Sequence, residues 1–155
     1  MLEEIRQQPE ALERTLAQQA RGIGKFRRFV EEHRPKLVTI VARGTSDNAA
    51  QFGRYLIEIM TGIPVSLAAP SVHSIYGASV NYKDALIVGI SQSGESSDIS
   101  AVMEDGRKCG AMTVGITNEP ESTLASMADH VFLVRAGREK SVAATKTYTG
   151  QLMSL

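Results

Sequence analysis

Cysteine, net charge and long apolar runs are what this sequence has little of. A lone cysteine, Cys109, excludes an internal disulfide and a multi-cysteine zinc site. The three histidines, His33, His73 and His130, lie far apart and lack metal-ligand spacing, so no metal is expected. Seventeen basic residues balance seventeen acidic ones, which leaves no electrostatic pull on nucleic acid or on an anionic membrane surface. An anionic ligand therefore has to be caught by local chemistry. No run is long enough to span a bilayer and no signal-peptide pattern opens the chain, so a soluble cytoplasmic protein is the expectation. The P-loop pattern G-x-x-x-x-G-K-[ST], the dinucleotide fingerprint G-x-G-x-x-G and the nucleophile elbow G-x-S-x-G are all missing, and no cofactor is expected.

What is present fits one domain, since 155 residues with 43% hydrophobic content suffice for a single core. The stretch Asp84 to Cys109 organises the chain. Ala85, Leu86, Ile87, Val88 and Ile90 form a continuous apolar run with β-branched members, as a strand buried on both faces of a parallel sheet requires. The run stops at Ser91-Gln92-Ser93-Gly94-Glu95-Ser96-Ser97. Behind it Ile99, Val102, Met103, Gly106 and Cys109 recur at helical spacing.

Strand, hydroxyl-rich turn, helix is an order with chemical meaning. The first turn of a helix leaves N–H groups unpaired and carries the positive end of the macrodipole, so an anion there meets ready donors. Serine hydroxyls add more, and Gly94 permits a positive φ or a close backbone approach. The competing reading makes Ser96 or Ser97 a helix cap and the other serines solvated turn residues. That turn alone leaves the two readings level. A second copy tips the balance toward an anion: Lys36 to Ala42 is a strand that runs into Arg43-Gly44-Thr45-Ser46. A helix follows, with Ala49, Phe52, Gly53, Leu56, Ile57 and Met60 on one face. Two such turns at the carboxyl ends of neighbouring parallel strands converge on one crevice.

The remaining segments complete the pattern. Residues 1–35 read as a helical segment with an apolar stripe of Leu12, Leu16, Ile23, Phe26 and Val30, broken near Gly22 and Gly24, facing either the rest of the chain or a second subunit. Ile63 to Ala69, Ala111 to Thr117 and Val131 to Val134 supply three more strands, with a short helix at Ser122 to Met127. Ser71 to Val80 reads as a loop or short helix over the sheet's carboxyl edge, and its His73 reads more readily as a surface hydrogen-bonding residue than as a proton carrier. Glu139, Lys140 and Lys146, with Arg135 and Arg138 beside them, either do acid–base work or, the simpler reading, pair with one another on the surface. The final helix through Thr145, Tyr148, Leu152 and Leu155 ends without a stop signal, as in a chain that continues. Five strands joined by crossovers predict a three-layer, doubly wound α/β fold with strand order 2-1-3-4-5.

Three motifs in this order, Arg43-Gly44-Thr45-Ser46, Ser91-Gln92-Ser93-Gly94-Glu95-Ser96 and Val142-Ala143-Ala144-Thr145-Lys146, resemble the sugar isomerase (SIS) domain. The likeness covers nearly the whole chain and is similar to the first of the two such domains in the isomerase part of glucosamine-6-phosphate synthase. Ser96 stands where the synthase usually has Thr, and Arg43 where it often has Cys. Ala69-Pro70-Ser71-Val72-His73 also departs from the synthase pattern, in the direction of stand-alone relatives such as the second type of glucosamine-6-phosphate deaminase. The resemblance implies a flavodoxin-like SIS domain over residues 36–155. It implies that Gly44, Thr45, Ser46, Ser91, Gln92, Ser93, Gly94 and Ser96 bind the sugar phosphate, with Val142 contacting it through its backbone.

The family's catalytic Glu, His and Lys belong to a second SIS domain, so no complete active site is expected within these residues. The implied function is phosphosugar binding within an isomerase or deaminase of hexose or hexosamine 6-phosphates. The alternative is a non-catalytic phosphosugar sensor. No basic helix-turn-helix segment is visible to make it a DNA-binding one. The expected partners are a sugar phosphate and a second copy of the chain, because the N-terminal stripe and the uncapped final helix leave apolar faces to cover.

Overall fold

The computed structural model describes residues 1–141 and 143–155. Its centre is a sheet of five strands in the order β2-β1-β3-β4-β5. These are β1 (Leu37–Ala42), β2 (Val65–Leu67), β3 (Ala85–Ser91), β4 (Met112–Thr117) and β5 (His130–Leu133). Every pairing is parallel. The predicted fold class and strand order both hold.

The apolar runs become central strands because both faces of the sheet are covered. Alternate residues of β3 serve opposite layers: Leu86, Val88 and Ile90 belong to one core and Ala85 and Ile87 to the other. The first layer contains α4 (Thr45–Thr61) and is completed by Phe26 and Phe29 of α3 (Ile23–His33) and by Leu155, which follows α8 (Lys146–Ser154). The second contains Ile99, Val102 and Met103 of α6 (Ser97–Lys108) and Leu124 of α7 (Thr123–Met127). Each fully buried Ile, Leu or Met in these layers contributes roughly 1.5–3 kcal/mol of transfer free energy. Because α4 and α6 lie on opposite faces while β1 and β3 are neighbours, the chain reverses direction across the sheet between those two strands. That is the crevice where ligands bind in folds of this kind.

Several sequence expectations change in three dimensions. The N-terminal segment is α1 (Leu2–Arg6), α2 (Gln8–Ala20) and α3, with breaks at Gln7 and at Arg21-Gly22. Its predicted stripe is not the buried face of α2. Ala11 and Thr15 are buried, whereas Leu16 is 58% and Ile23 52% exposed. The reason is close packing: Thr15 Oγ1 accepts from the Arg135 N–H at 3.1 Å, and only short side chains fit where α2 meets the chain leaving β5. On α4 the buried positions are likewise the small ones, Ala49, Ala50 and Gly53, while Phe52 and Met60 face outward. Of the two readings of the stretch after β2, the short helix holds: Ser71–Ser74 forms α5.

Candidate functional site

At the carboxyl edge of the sheet the chain leaves β1 through Arg43-Gly44 and enters α4, and leaves β3 through Gln92–Ser96 and enters α6. Gly44 holds φ +62°, a left-handed conformation, and so points the start of α4 inward. Gly94 holds φ +68°, and a Cβ there would collide with Ser122. Its N–H donates to Ser91 Oγ at 3.0 Å and its carbonyl accepts from the Leu124 N–H at 2.9 Å. Gly94 therefore shapes the turn from behind and does not line the space in front of it.

That space is a cavity of about 340 Å³ lined by Arg43, Gly44, Thr45, Ser46, Ser91, Gln92, Ser93 and Ser96, with Ile99, Ala144 and Gln151. The two turns, 49 or so residues apart in sequence, thus face one volume. Of the residues singled out from the sequence, all but Gly94 and Val142 line it; Val142 lies outside the described residues.

The hydroxyls are set to donate. Ser91 Oγ accepts from Gly94 N–H, Ser93 Oγ accepts from Glu95 N–H at 3.3 Å, and Ser46 Oγ accepts from Gln151 Nε2 at 3.0 Å. A serine whose lone pair is engaged still has its O–H to give. Ser96 occupies the N-cap position of α6 with extended backbone, yet its side chain makes no capping bond. The capping alternative raised by the sequence is therefore not what the structure contains. Gly44, at the N-cap position of α4, has no side chain with which to cap. Both helices present uncapped N–H groups and positive dipole ends toward the cavity, an arrangement suited to a small anion. The Gln92 side-chain amide has no partner among the described residues, and its backbone carbonyl is tied to the Asn118 N–H at 3.1 Å and to Thr117 Oγ1 at 3.2 Å.

The other polar candidates go elsewhere. Glu139 accepts from the Thr145 and Lys146 N–H groups, both at 2.8 Å, and from Thr147 N–H at 3.3 Å, closing the start of α8. Burial pushes its carboxyl up, but these hydrogen bonds outweigh burial and hold it below the ordinary carboxylate range. Lys146 is buried, with Nζ bonded to Gln7 Oε1 at 2.8 Å and the Arg138 carbonyl at 3.0 Å. The expected surface pairing of Glu139 with Lys146 is thus replaced by a helix cap and a buried ammonium. Glu95 turns away from the cavity and accepts from the Thr123 N–H and hydroxyl at 2.9 and 2.7 Å, which hold its carboxyl below the ordinary range.

His73 is neither a surface residue nor a cavity residue. Its side chain is 3% exposed, with Nδ1 2.7 Å from Asp105 Oδ2 and Nε2 2.9 Å from the Tyr82 hydroxyl, fastening α5 to α6. The contact to His73 holds the Asp105 carboxyl below its usual range.

Sequence reasoning missed Gln151 and Ala144 as cavity residues. Gln151 is 1% exposed and lies on the α8 stripe between Tyr148 and Leu155, where a polar side chain is out of pattern. That misfit was the available signal; its partner Ser46, 105 positions away, was not.

Fold and cavity together define a doubly wound α/β domain with a crevice at the sheet's switch point. Residues 33–155 match the SIS domain model, and the chain belongs to the SIS domain family. It is 37% identical to a glutamine–fructose-6-phosphate aminotransferase (isomerizing) of Gloeobacter violaceus, over 99% of this chain and 26% of that protein. Among solved structures it resembles a protein of Silicibacter pomeroyi assigned as a phosphosugar isomerase, with TM-score 0.92, 37% identity, and coverage of 97% of this chain and 46% of that one. It also resembles the C-terminal domain of the glucosamine–fructose-6-phosphate aminotransferase of Francisella tularensis, with TM-score 0.81, 32% identity, and coverage of 99% and 44%. The chain spans about a quarter of the length of the curated relatives it matches.

Proposed function

We propose that the cavity binds the phosphate of a hexose or hexosamine 6-phosphate, and that the chain is the phosphosugar-binding part of a ketose/aldose isomerase, deaminase or aminotransferase. The observation that carries this reading is the convergence of two uncapped helix starts and four serine side chains on one cavity of about 340 Å³. Neutral donors fix the phosphate, while the Gln92 amide remains to meet sugar hydroxyls. The kinship with aminotransferases and with a protein assigned as a phosphosugar isomerase supports the substrate class. In the whole enzyme, proton transfer between C1 and C2 would interconvert the ring-opened aldose and ketose. The chain's own residues bind and orient; among them none is assigned to that proton transfer. Val142 joins the site through its backbone in this reading, and residues 36–155 form the binding domain behind the N-terminal helices. A cytoplasmic location goes with it, because charged sugar phosphates do not cross a bilayer unaided.

Pairing of two copies belongs to the same reading. Phe52, Tyr55, Ile59 and Met60 lie 46%, 68%, 76% and 73% exposed along the outer side of α4, an apolar surface that a second chain would cover. Sedimentation should show a dimer at tens of micromolar, the order of magnitude for a modest interface.

The binding test is calorimetric titration with fructose 6-phosphate, glucosamine 6-phosphate and the unphosphorylated sugars. Only the phosphorylated forms should bind, and Ser93→Ala should weaken them by about ten- to a hundredfold, the loss of one hydroxyl bonded to a charged group. Equal binding of phosphorylated and unphosphorylated sugars would overturn the assignment.

A further inference from the structure

Arg43 is the one charged side chain among the described residues that line the cavity. It is the last residue before Gly44 on the β1 side, and its side chain is 61% exposed at the rim. One guanidinium nitrogen lies 3.1 Å from Asp98 Oδ2, in the first turn of α6. The side chain therefore starts on one of the two turns and is anchored on the other, across the opening. A guanidinium carries five N–H donors in a planar fork, and the contact with Asp98 engages one side of it. The remaining donors have no partner among the described residues.

Inside the cavity, every other donor is a hydroxyl, an amide or a backbone N–H. Such donors hold a phosphate in place but discriminate weakly between its singly and doubly ionised forms. A fixed positive charge at the opening does discriminate, because its attraction roughly doubles with the second charge. We propose that Arg43 is the specificity residue that makes this site prefer the phosphate dianion, sharing its fork between Asp98 and the bound phosphate. Asp98 is then a positioning residue that holds the guanidinium over the opening and offsets part of its charge while the cavity is empty. The inference rests on the phosphosugar reading above.

A purely structural strap between the two turns would depend equally on both partners, whereas a phosphate-reading arginine would not. The test measures fructose 6-phosphate affinity by calorimetry from pH 5 to 8, since the phosphate is that ligand's only group titrating there, with a second pKa of about 6. Fructose serves as the uncharged control, and thermal melts confirm that each variant folds. Parent protein should bind more tightly as pH rises through that value. Arg43→Met should lose about tenfold in affinity at pH 8, the low end for a bond to a charged group at an exposed position, and its pH profile should flatten. Arg43→Lys should keep the pH dependence with a smaller loss. Asp98→Asn, which frees the guanidinium from its anchor but leaves its charge beside the opening, should keep the rise of affinity with pH that Arg43→Met loses. Equal weakening in Arg43→Met and Asp98→Asn with unchanged pH profiles would overturn the proposal in favour of a strap. If parent protein distinguishes fructose 6-phosphate from fructose but Arg43→Met behaves like the parent, the arginine's role alone fails. If parent protein binds both ligands alike, the reading of the cavity fails first.

Discussion

Four of the helices that follow strands, α4, α6, α7 and α8, fall into two pairs. The starts of α7 and α8 are closed by the protein itself. Ser122 accepts from Ala125 N–H and Glu95 from Thr123 N–H, while Glu139 takes the first N–H groups of α8. The starts of α4 and α6 receive no such side-chain cap, and these are the two that face the cavity. Ser96 and Ser122 make the contrast sharp. Both hold N-cap positions with extended backbone, at φ −74° and −73°, yet only Ser122 caps. Identical local chemistry serves stability in one place and stays available in the other. An uncapped helix start forgoes about 1 kcal/mol of stabilisation, and the fold accepts this where an outside anion can take the place of the cap.

Substitutions should separate the open helix starts from the closed ones. The largest effect is expected at Gly94, whose turn connects the open pair to the closed pair. Gly94→Ala forces a Cβ into Ser122 at a positive φ, and urea denaturation should register a loss of about 3 kcal/mol from the combined steric and backbone terms. Next come the matched serines. Ser96→Ala should leave the melting temperature unchanged and weaken fructose 6-phosphate about tenfold. Ser122→Ala should do the reverse, costing about 1 kcal/mol, or roughly 2–4 °C in melting temperature, with affinity unchanged. Two variants that behave alike would erase the distinction between open and closed starts.

The smallest effect is expected from acid. Glu139 is held below its ordinary value of 4.5, so its folded form prefers to be charged. The stability it contributes is fully present above that unfolded value and is lost as pH falls through the lower folded one. Glu4, on α1, follows the same sign. The backbone N–H of Lys140 and the hydroxyl of Ser141 lower its pKa to about 2, so its clasp on residues 140–141 persists well below the ordinary carboxylate range and fails toward pH 2. Glu139→Gln and Glu4→Gln should each flatten the decline in stability below pH 4.5 in acid titrations followed by circular dichroism.

Much of this architecture was legible in the chain because strands buried on both faces write themselves as uninterrupted apolar runs, as Leu86 to Ile90 does. The cavity was legible for a related reason: the turns that build it are contiguous, and glycine with serine at a strand-to-helix junction is a local pattern. What escaped was set by distance. Glu139 caps a helix starting seven residues later, and Gln151 reaches Ser46 across 105 positions. Neither pairing has a local signature. On α2, hydrophobicity pointed to Leu12 and Leu16, but the narrow gap beside β5 selects Ala11 and Thr15 instead. Periodicity finds an apolar stripe and is blind to how close the neighbouring element comes.

If an anion closes the starts of α4 and α6, amide resonances report it residue by residue. Titrating ¹⁵N-labelled protein with fructose 6-phosphate should shift the N–H signals of Gly44 to Ser46 and of Ser96 to Ile99. Those of Ala125, Lys146 and Thr147, whose N–H groups are already taken, should stay in place. Saturable shifts in the first two segments, joined by those of Val142 and of the lining residues Ala144 and Gln151, are the predicted result. Shifts centred on α7 or α8, or none at millimolar ligand, the order of magnitude of the weakest specific binding, would contradict the account.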